Sequence, residues 1–489
     1  MNAVILVCLL LVPTAAGIAL ALWNHAQKRI ADTVFVAALS LEALLTLAYL
    51  FLPDAALRLF SMTDTLTVAL ATDGVSRIFL AVGAFGFLLA GVYATRYMAH
   101  GTRQASFYAF LLLSLAALVG MDASQNLITM YLFFECATLL SMPLVLHDRT
   151  EESIRAAMKY LFYSIGGAFL ALLAIFTLAS HTSSLDFAAG GTLDATKAAA
   201  HRPLLEIVIF LGVIGFGAKA GLYPLHGWLP TAHPVAPAPA SAVLSAVITK
   251  AGVLAIFRLI YGIVGAAFLR GTWVQIAWIA LALLTVFMGS MMAYREDVLK
   301  KRLAYSSVSQ ISYILTGLFC MTPESVTGGL LHVIFHACIK ICLFLFAGSV
   351  IVNLNKTRVS ELRGIGKQMP VTLWAFTIAA LGLIGIPPAA GFVSKWYLAI
   401  GALDTGLPVL NWLAPVVLLV SALLTAGYLL PITISGFFPG RDFAPLPRTD
   451  EGTPAMWLPI GILSAFSLLI GIFAGPLVDW TMALVRPLL

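Results

Sequence analysis

Two lysines, Lys219 and Lys250, stand inside apolar and small-residue sequence, in the stretch GFGAKAGLYPLHGWLPTAHPVAPAPASAVLSAVITK that runs from Gly215 to Lys250. Between them lie His226, His233 and five prolines, Pro224, Pro230, Pro234, Pro237 and Pro239. Further along, His332, His336 and Lys340 recur at intervals of four in HVIFHACIK, which puts all three on one helical face. Glu135 interrupts YLFFECATLL, and Lys395 follows a second proline-glycine segment, GIPPAAG. These groups share one chemistry: each can hold a proton and give it up. Lysine changes its proton affinity readily when buried, and imidazole titrates near neutral pH.

Each residue also has a plainer reading. Glu135 is either a neutral, hydrogen-bonded carboxylic acid or the ion partner of a lysine on a neighbouring helix. If that partner is Lys219, contact holds the lysine's proton and separation releases it. Lys219 lies late in its apolar run and could instead snorkel to an interface; Lys250 is near mid-run, where snorkelling is harder. Of His332 and His336, one could serve only a structural hydrogen bond. A metal site at HVIFHACIK lacks a third ligand type, so no metal is expected. His226 and His233 are divided between proton uptake and hydrogen bonding in a turn. Arg258 reads as an anchor at the outer end of its run, while Arg77 and Glu42 stay open. The five cysteines, Cys8, Cys136, Cys320, Cys338 and Cys342, fall in apolar runs without CxxC spacing and read as packing residues.

The elements that carry these groups follow from composition. Of 489 residues, 61% are hydrophobic and 10% charged, against about 25% charged in soluble domains. Apolar runs of about 18 or more residues recur throughout, each long enough to cross a hydrocarbon core of about 30 Å. The chain is therefore expected to be an all-α polytopic membrane protein embedded in a lipid bilayer, with about fourteen transmembrane helices. The first run, from Ala3 to Trp23, lacks a basic leader and reads as a retained span. No connection is long enough for a soluble catalytic domain, and no redox-cofactor motif is present, so no cofactor is expected. The net charge of +6 is not a nucleic-acid footprint, because the longest basic run is Lys300-Lys301-Arg302.

Charge instead orients the chain. Connections after odd-numbered spans hold Lys28, Arg29, Arg96, Arg103, Arg149, Arg155, Lys159, Arg295, Lys300, Lys301, Arg302, Lys356, Arg358, Arg363, Lys367, Arg441 and Arg448; the others hold only Arg58, Lys197, Arg202 and Arg270, with Arg486 in the tail. The positive-inside rule puts the first set in the cytoplasm and both termini outside. Span seven ends in KAGLYP and span twelve contains GIPPAAG, so both helices should break. Broken backbone at membrane depth must be buried in protein or line a watery cavity. The two breaks are five spans apart, which predicts two inverted five-helix repeats. Residues 1–105 would hold helices 1–3, 106–263 the first repeat, 264–436 the second, and 437–489 the last helix.

FFECATL, AMKYL with Lys159, Lys219 before YPLHGWLPTAHPVAPAPASAVLSAVITKAG, KKRLAYSSVSQISY, LLHVIFHACIK and GIPPAAGFVSKW together resemble the antiporter-like subunits shared by respiratory complex I, Mrp cation/proton antiporters and membrane-bound hydrogenases. The resemblance implies that Glu135 and Lys219 form an ion pair and that Lys250 bridges the two halves. It also implies that His332 or His336 leads to Lys395 as the terminal proton-loading residue, with Lys340 alongside. The run LRGIGKQMPVTLWAFTIAALGLIGIPPAAGFVSKWYL looks most like the Mrp D-type subunit, and the long lateral helix of the largest such subunit is not expected.

The expectation is an ion-translocating subunit of a multisubunit complex in a bacterial or archaeal inner membrane. It would move protons through Glu135, Lys219, Lys250, His332, His336, Lys340 and Lys395. Its partners would be other membrane subunits, protons and, in an Mrp-type assembly, Na⁺. The alternatives are a proton-pumping subunit of a redox complex, an independent solute transporter, and a structural subunit that no longer conducts.

Overall fold

The computed structural model describes residues 2–23, 27–61, 63, 66–101, 103–440 and 451–489. Arg441 and Arg448, counted above among the basic connections, lie outside the described residues. Twelve of the described helices are long and apolar enough to cross a membrane. They are α1 (Asn2–Leu22), α2 (Lys28–Tyr49), α3 (Gly74–Tyr97), α4 (Gln104–Asp122), α5 (Leu127–Val145), α6 (Glu151–His181), α7a (Arg202–Ala220), α8 (Ala238–Val264), α9 (Trp273–Arg295), α11 (Pro323–Leu354), α13 (Leu410–Phe437) and α14 (Pro454–Ile472). Two further spans bring the total to the expected fourteen. One is α10 (Leu299–Cys320), made too polar for a simple hydropathy criterion by Ser306, Ser307, Ser309, Gln310 and Ser312. The other is the interrupted pair α12a (Pro370–Ile384) and α12b (Ala390–Leu403).

Burial sorts these helices into a centre and a rim. The most apolar stretch of α8 is 100% buried and that of α11 94%, whereas α1, α2, α13 and α14 bury a third or less. Lys250, His332, His336 and Lys340 are carried by the two central helices, α8 and α11, and are buried. In a bilayer, lipid tails are as apolar as leucine, so helices associate through close packing of small residues. Gly167 of α6 and Gly215 of α7a show this: a methyl group added at Gly215 would lie 2.4 Å from the Gly167 carbonyl oxygen.

Both expected breaks are present, with matching local chemistry. Helix α7a stops at Gly221, whose φ of +84° suits glycine; Pro224 follows, and a short helix, α7b (Leu229–Val235), continues the span beyond the expected boundary. Helix α12a stops at Gly385, φ +92°, before Pro387 and Pro388. In each case a left-handed glycine precedes a cis X–Pro bond, Tyr223–Pro224 and Pro387–Pro388.

Two features were not expected. The connection between α2 and α3 is an antiparallel hairpin, β1 (Ala56–Ser61) with β2 (Thr67–Ala71), docked on the α4–α5 turn through bonds such as Ala71 N to Ala123 O at 2.7 Å. Helix α8 contains two π-helical segments, Leu244–Ile248 and Arg258–Val264, on either side of Lys250.

Gly215→Leu is expected to force α6 and α7a apart and cost about 1–3 kcal/mol, as overpacking does. Thermal unfolding in detergent would show a lowered midpoint, whereas Gly461→Ala, inside α14 with nothing within 4 Å of the added carbon, would not lower it.

Candidate functional site

Lys250 is at the centre. The π-helical turn before it disturbs the regular backbone ladder, and the Ser245 carbonyl there accepts from Lys250 Nζ at 2.8 Å and from the Thr249 hydroxyl at 2.7 Å. Lys250 Nζ also lies 2.7 Å from Nδ1 of His336 on α11. A lysine and a histidine in direct contact across two central helices can exchange a proton without an intermediary. Nε2 of His336 has no partner, so that nitrogen is open to a further transfer.

From His336 the groups step along α11 and α10 toward the second break. The rings of His336 and His332 are 5.7 Å apart, and Tyr313 is 5.7 Å beyond His332. His332 is held between Ser394 Oγ at 2.8 Å and Gln310 Oε1 at 3.1 Å. Lys395 Nζ sits 5.0 Å from the centre of the Tyr313 ring and donates to the carbonyls of Leu383, at 2.5 Å, and Ile384, at 2.9 Å. Those are the last carbonyls of α12a, the negative end of a helix dipole. Lys340, one turn past His336, donates to Leu303 O at 2.9 Å and to Ser306 Oγ.

Glu135 and Lys219 are arranged differently from the expected ion pair. Among the described residues no ion pair joins them within 4.0 Å. Lys219 is fully buried, bonds Thr138 Oγ1, reaches Phe134 O at 3.4 Å and lies 4.7 Å from the Phe134 ring centre. Glu135 is half-buried, with Oε1 enclosed and unpartnered. Glu135 lies about 60° around α5 from Thr138, and it acts on Lys219 through space as a charge partner without direct contact.

One further expectation is corrected, and several residues left open find their places. Arg258 is no snorkelling anchor: it is buried and forms a two-point ion pair with Asp73 at 2.5 and 2.8 Å, plus a 3.0 Å bond to Ser76. His233 is fully buried with neither ring nitrogen bonded, so it does not show the side-chain bonding of a turn, and Nδ1 of His226 is enclosed without a partner. Arg77 ties Asp54 and the carbonyls of Leu50 and Leu52 together. Glu42 is fully buried with both carboxyl oxygens unpartnered. Lys300, read from sequence only as a topology charge, is buried, and its Nζ donates to Pro234 O and Ala236 O at 2.9 and 2.5 Å. Its place after the acidic Glu296-Asp297 pair hid this. Among the described residues, no three His, Cys, Asp or Glu side chains converge on a metal position.

The profile of the NADH:quinone oxidoreductase/Mrp antiporter transmembrane family matches residues 124–425. The chain belongs to this family. It is 37% identical over 420 residues to the N-type subunit of NADH-quinone oxidoreductase from Desulforudis audaxviator, across 83% of this chain and 82% of the relative. It is 29% identical over 418 residues to the D-type Na(+)/H(+) antiporter subunit of Bacillus subtilis, across 84% and 82%. The structure of the Mrp complex from Dietzia sp. DQ12-45-1b contains a chain of the same fold, with TM-score 0.85 and 22% identity over 100% of this chain and 97% of that one. The family places this chain among antiporter-like membrane subunits of multisubunit complexes, and all seven expected site residues fall within the matched region.

The Arg258–Asp73 clamp yields a pH prediction. Burial works to raise the Asp73 carboxyl, but the Arg258 guanidinium and the Ser76 bonds outweigh it and hold it below the ordinary value of 3.8. A depressed carboxyl stabilises the fold above its unfolded value and loses that contribution as pH falls through its folded one. Amide exchange in α8 should therefore stay slow down to about pH 4 and rise only below that. Arg258→Leu should speed it at neutral pH, by about 1 kcal/mol of lost protection, given that Asp73 is half in solvent.

Proposed function

We propose that this chain conducts protons through a buried relay: Lys219, Lys250, His336, His332 and Lys395, with Glu135 and Lys340 as flanking loading sites. The observation that carries this reading is the 2.7 Å contact between Lys250 Nζ and His336 Nδ1. It joins the helix that follows the first break to the chain of rings that leads to the second. Each buried ammonium rests on backbone carbonyls or hydroxyls, which tolerate a protonated or a neutral amine. A fixed carboxylate partner would tether the proton more strongly.

Within the family, we infer a proton-pumping subunit of a redox-driven, complex I-like assembly. The 37% identity to an N-type oxidoreductase subunit, against 29% to a D-type antiporter subunit, supports this over the Mrp-type reading preferred from sequence motifs. In such an assembly, electron transfer in partner subunits supplies the energy. The second reading is exchange of Na⁺ for protons, supported by the likeness to the Bacillus subtilis antiporter subunit over most of both chains. There the membrane potential would contribute about 2.3 kcal/mol per charge per 100 mV. In either case we infer a bacterial or archaeal inner membrane, with the basic connections in the cytoplasm and both termini outside.

The test is proton movement in vesicles that hold the whole native complex. Lys250→Met is expected to slow it at least about a hundredfold, the scale of a lost proton-transfer group, while the other subunits still co-purify. Drive by a reductant alone would support the redox reading, and drive by a Na⁺ gradient alone the exchange reading. Full-rate proton movement in assembled Lys250→Met would remove the relay.

A further inference from the structure

A cavity of about 340 Å³ opens on the basic face of the protein. Its lining comes from the connections after spans three, five, seven, nine and eleven, including Tyr97, His147, Asp148, Pro237, Lys300 and Thr357. Lys300 is its one buried cation among the described lining residues, and its Nζ is bonded to the carbonyls of Pro234 and Ala236. Next in the chain before Pro234 is His233, which does not line the cavity. Its ring is fully buried and stacks on Phe344 at 4.9 Å, with both nitrogens unpartnered. Lys340 Nζ lies 6.0 Å from the centre of that same Phe344 ring. Lys340 is one turn from His336, the residue in contact with Lys250.

We propose that this cavity is the port through which protons reach the relay, with Lys300 as acceptor at its floor and His233 as the carrier to Lys340. The port rests on the relay reading above and extends it to residues that reading does not use. A proton from cavity water binds the neutral amine of Lys300, and Lys300 passes a proton to one ring nitrogen of His233. His233 gives up the proton on its other ring nitrogen toward Lys340. A tautomer change then restores the ring, and the single positive charge that enters at Lys300 ends on Lys340, with His233 neutral before and after. An imidazole with two open nitrogens suits this step, because a bond to either would hold it in one tautomer. Pro237, just past the end of α7b, keeps the local backbone from filling the space with one continuous regular helix.

The experiment uses vesicles of the native complex carrying Lys300→Cys, His233→Gln or Lys250→Met, with assembly read from co-purification of the other subunits. Lys300→Cys and His233→Gln are each expected to slow proton movement at least about tenfold. Treating Lys300→Cys with 2-aminoethyl methanethiosulfonate puts back an amine and should restore most of the rate. The trimethylammonium analogue supplies the charge without a transferable proton and should not. Full-rate movement in either variant, or equal rescue by both reagents, would overturn the port. His233 makes no side-chain hydrogen bond, so its replacement removes none from the fold; if Lys300→Cys fails to assemble, His233→Gln alone decides. A silent Lys250→Met beside a full-rate His233→Gln would reject the port and keep the relay; a full-rate Lys250→Met would reject the relay itself.

Discussion

In the hydrocarbon interior no water is on hand to solvate a charge or a freed carbonyl, so every such group must find its partner within the protein. This chain meets both demands with one device. Where a helix is broken or widened, backbone carbonyls come free, and a lysine takes them up. Lys250 rests on Ser245 O in a π-helical turn, Lys395 on Leu383 O and Ile384 O at the end of α12a, and Lys300 on Pro234 O and Ala236 O beside α7b. Lys340 and Lys219 use carbonyls of intact helices with a hydroxyl beside them. The irregular backbone and the buried ammonium groups answer each other, and neither would be tolerable alone.

Much of this was legible in the sequence, because the constraint leaves marks that a single chain displays. Fourteen spans follow from run length, and the two breaks follow from glycine and proline, whose backbone limits are local. The spacing of His332, His336 and Lys340 placed them on one helix face, and the structure turns all three into the interior. What stayed hidden depends on which neighbour a residue meets. Glu135 and Lys219 act on each other as charges, yet the direct bonds of the lysine go to Phe134 O and Thr138 Oγ1. Arg258 is close to a span end, where solvent was the default partner, and only the position of Asp73 at the start of α3 reveals the clamp.

The same limit explains the missed backbone features. A π-helical turn has no composition of its own, so Leu244–Ile248 reads as ordinary apolar helix. The hairpin after α2 is short and is held partly by the α4–α5 turn, to which Gln125 N and Ala71 N contribute bonds. Lys300 shows the point most plainly. Its charge helped set the topology, while its burial follows from chain segments more than sixty residues away.

The carbonyl cradles have a consequence for how the interior responds to voltage. A carbonyl cannot lose a proton and carries no net charge, so at Lys250, Lys340 and Lys395 no carboxylate acts to neutralise a proton, whereas Glu135 acts on Lys219 and Asp148 on Lys300. A proton placed on one of those three would leave a full positive charge in a medium of low polarisability, and neighbouring sites would feel it. In the relay proposed above, the axis would work as a row of coupled capacitors, in which filling one plate raises the work of filling the next and eases the discharge of the one beyond.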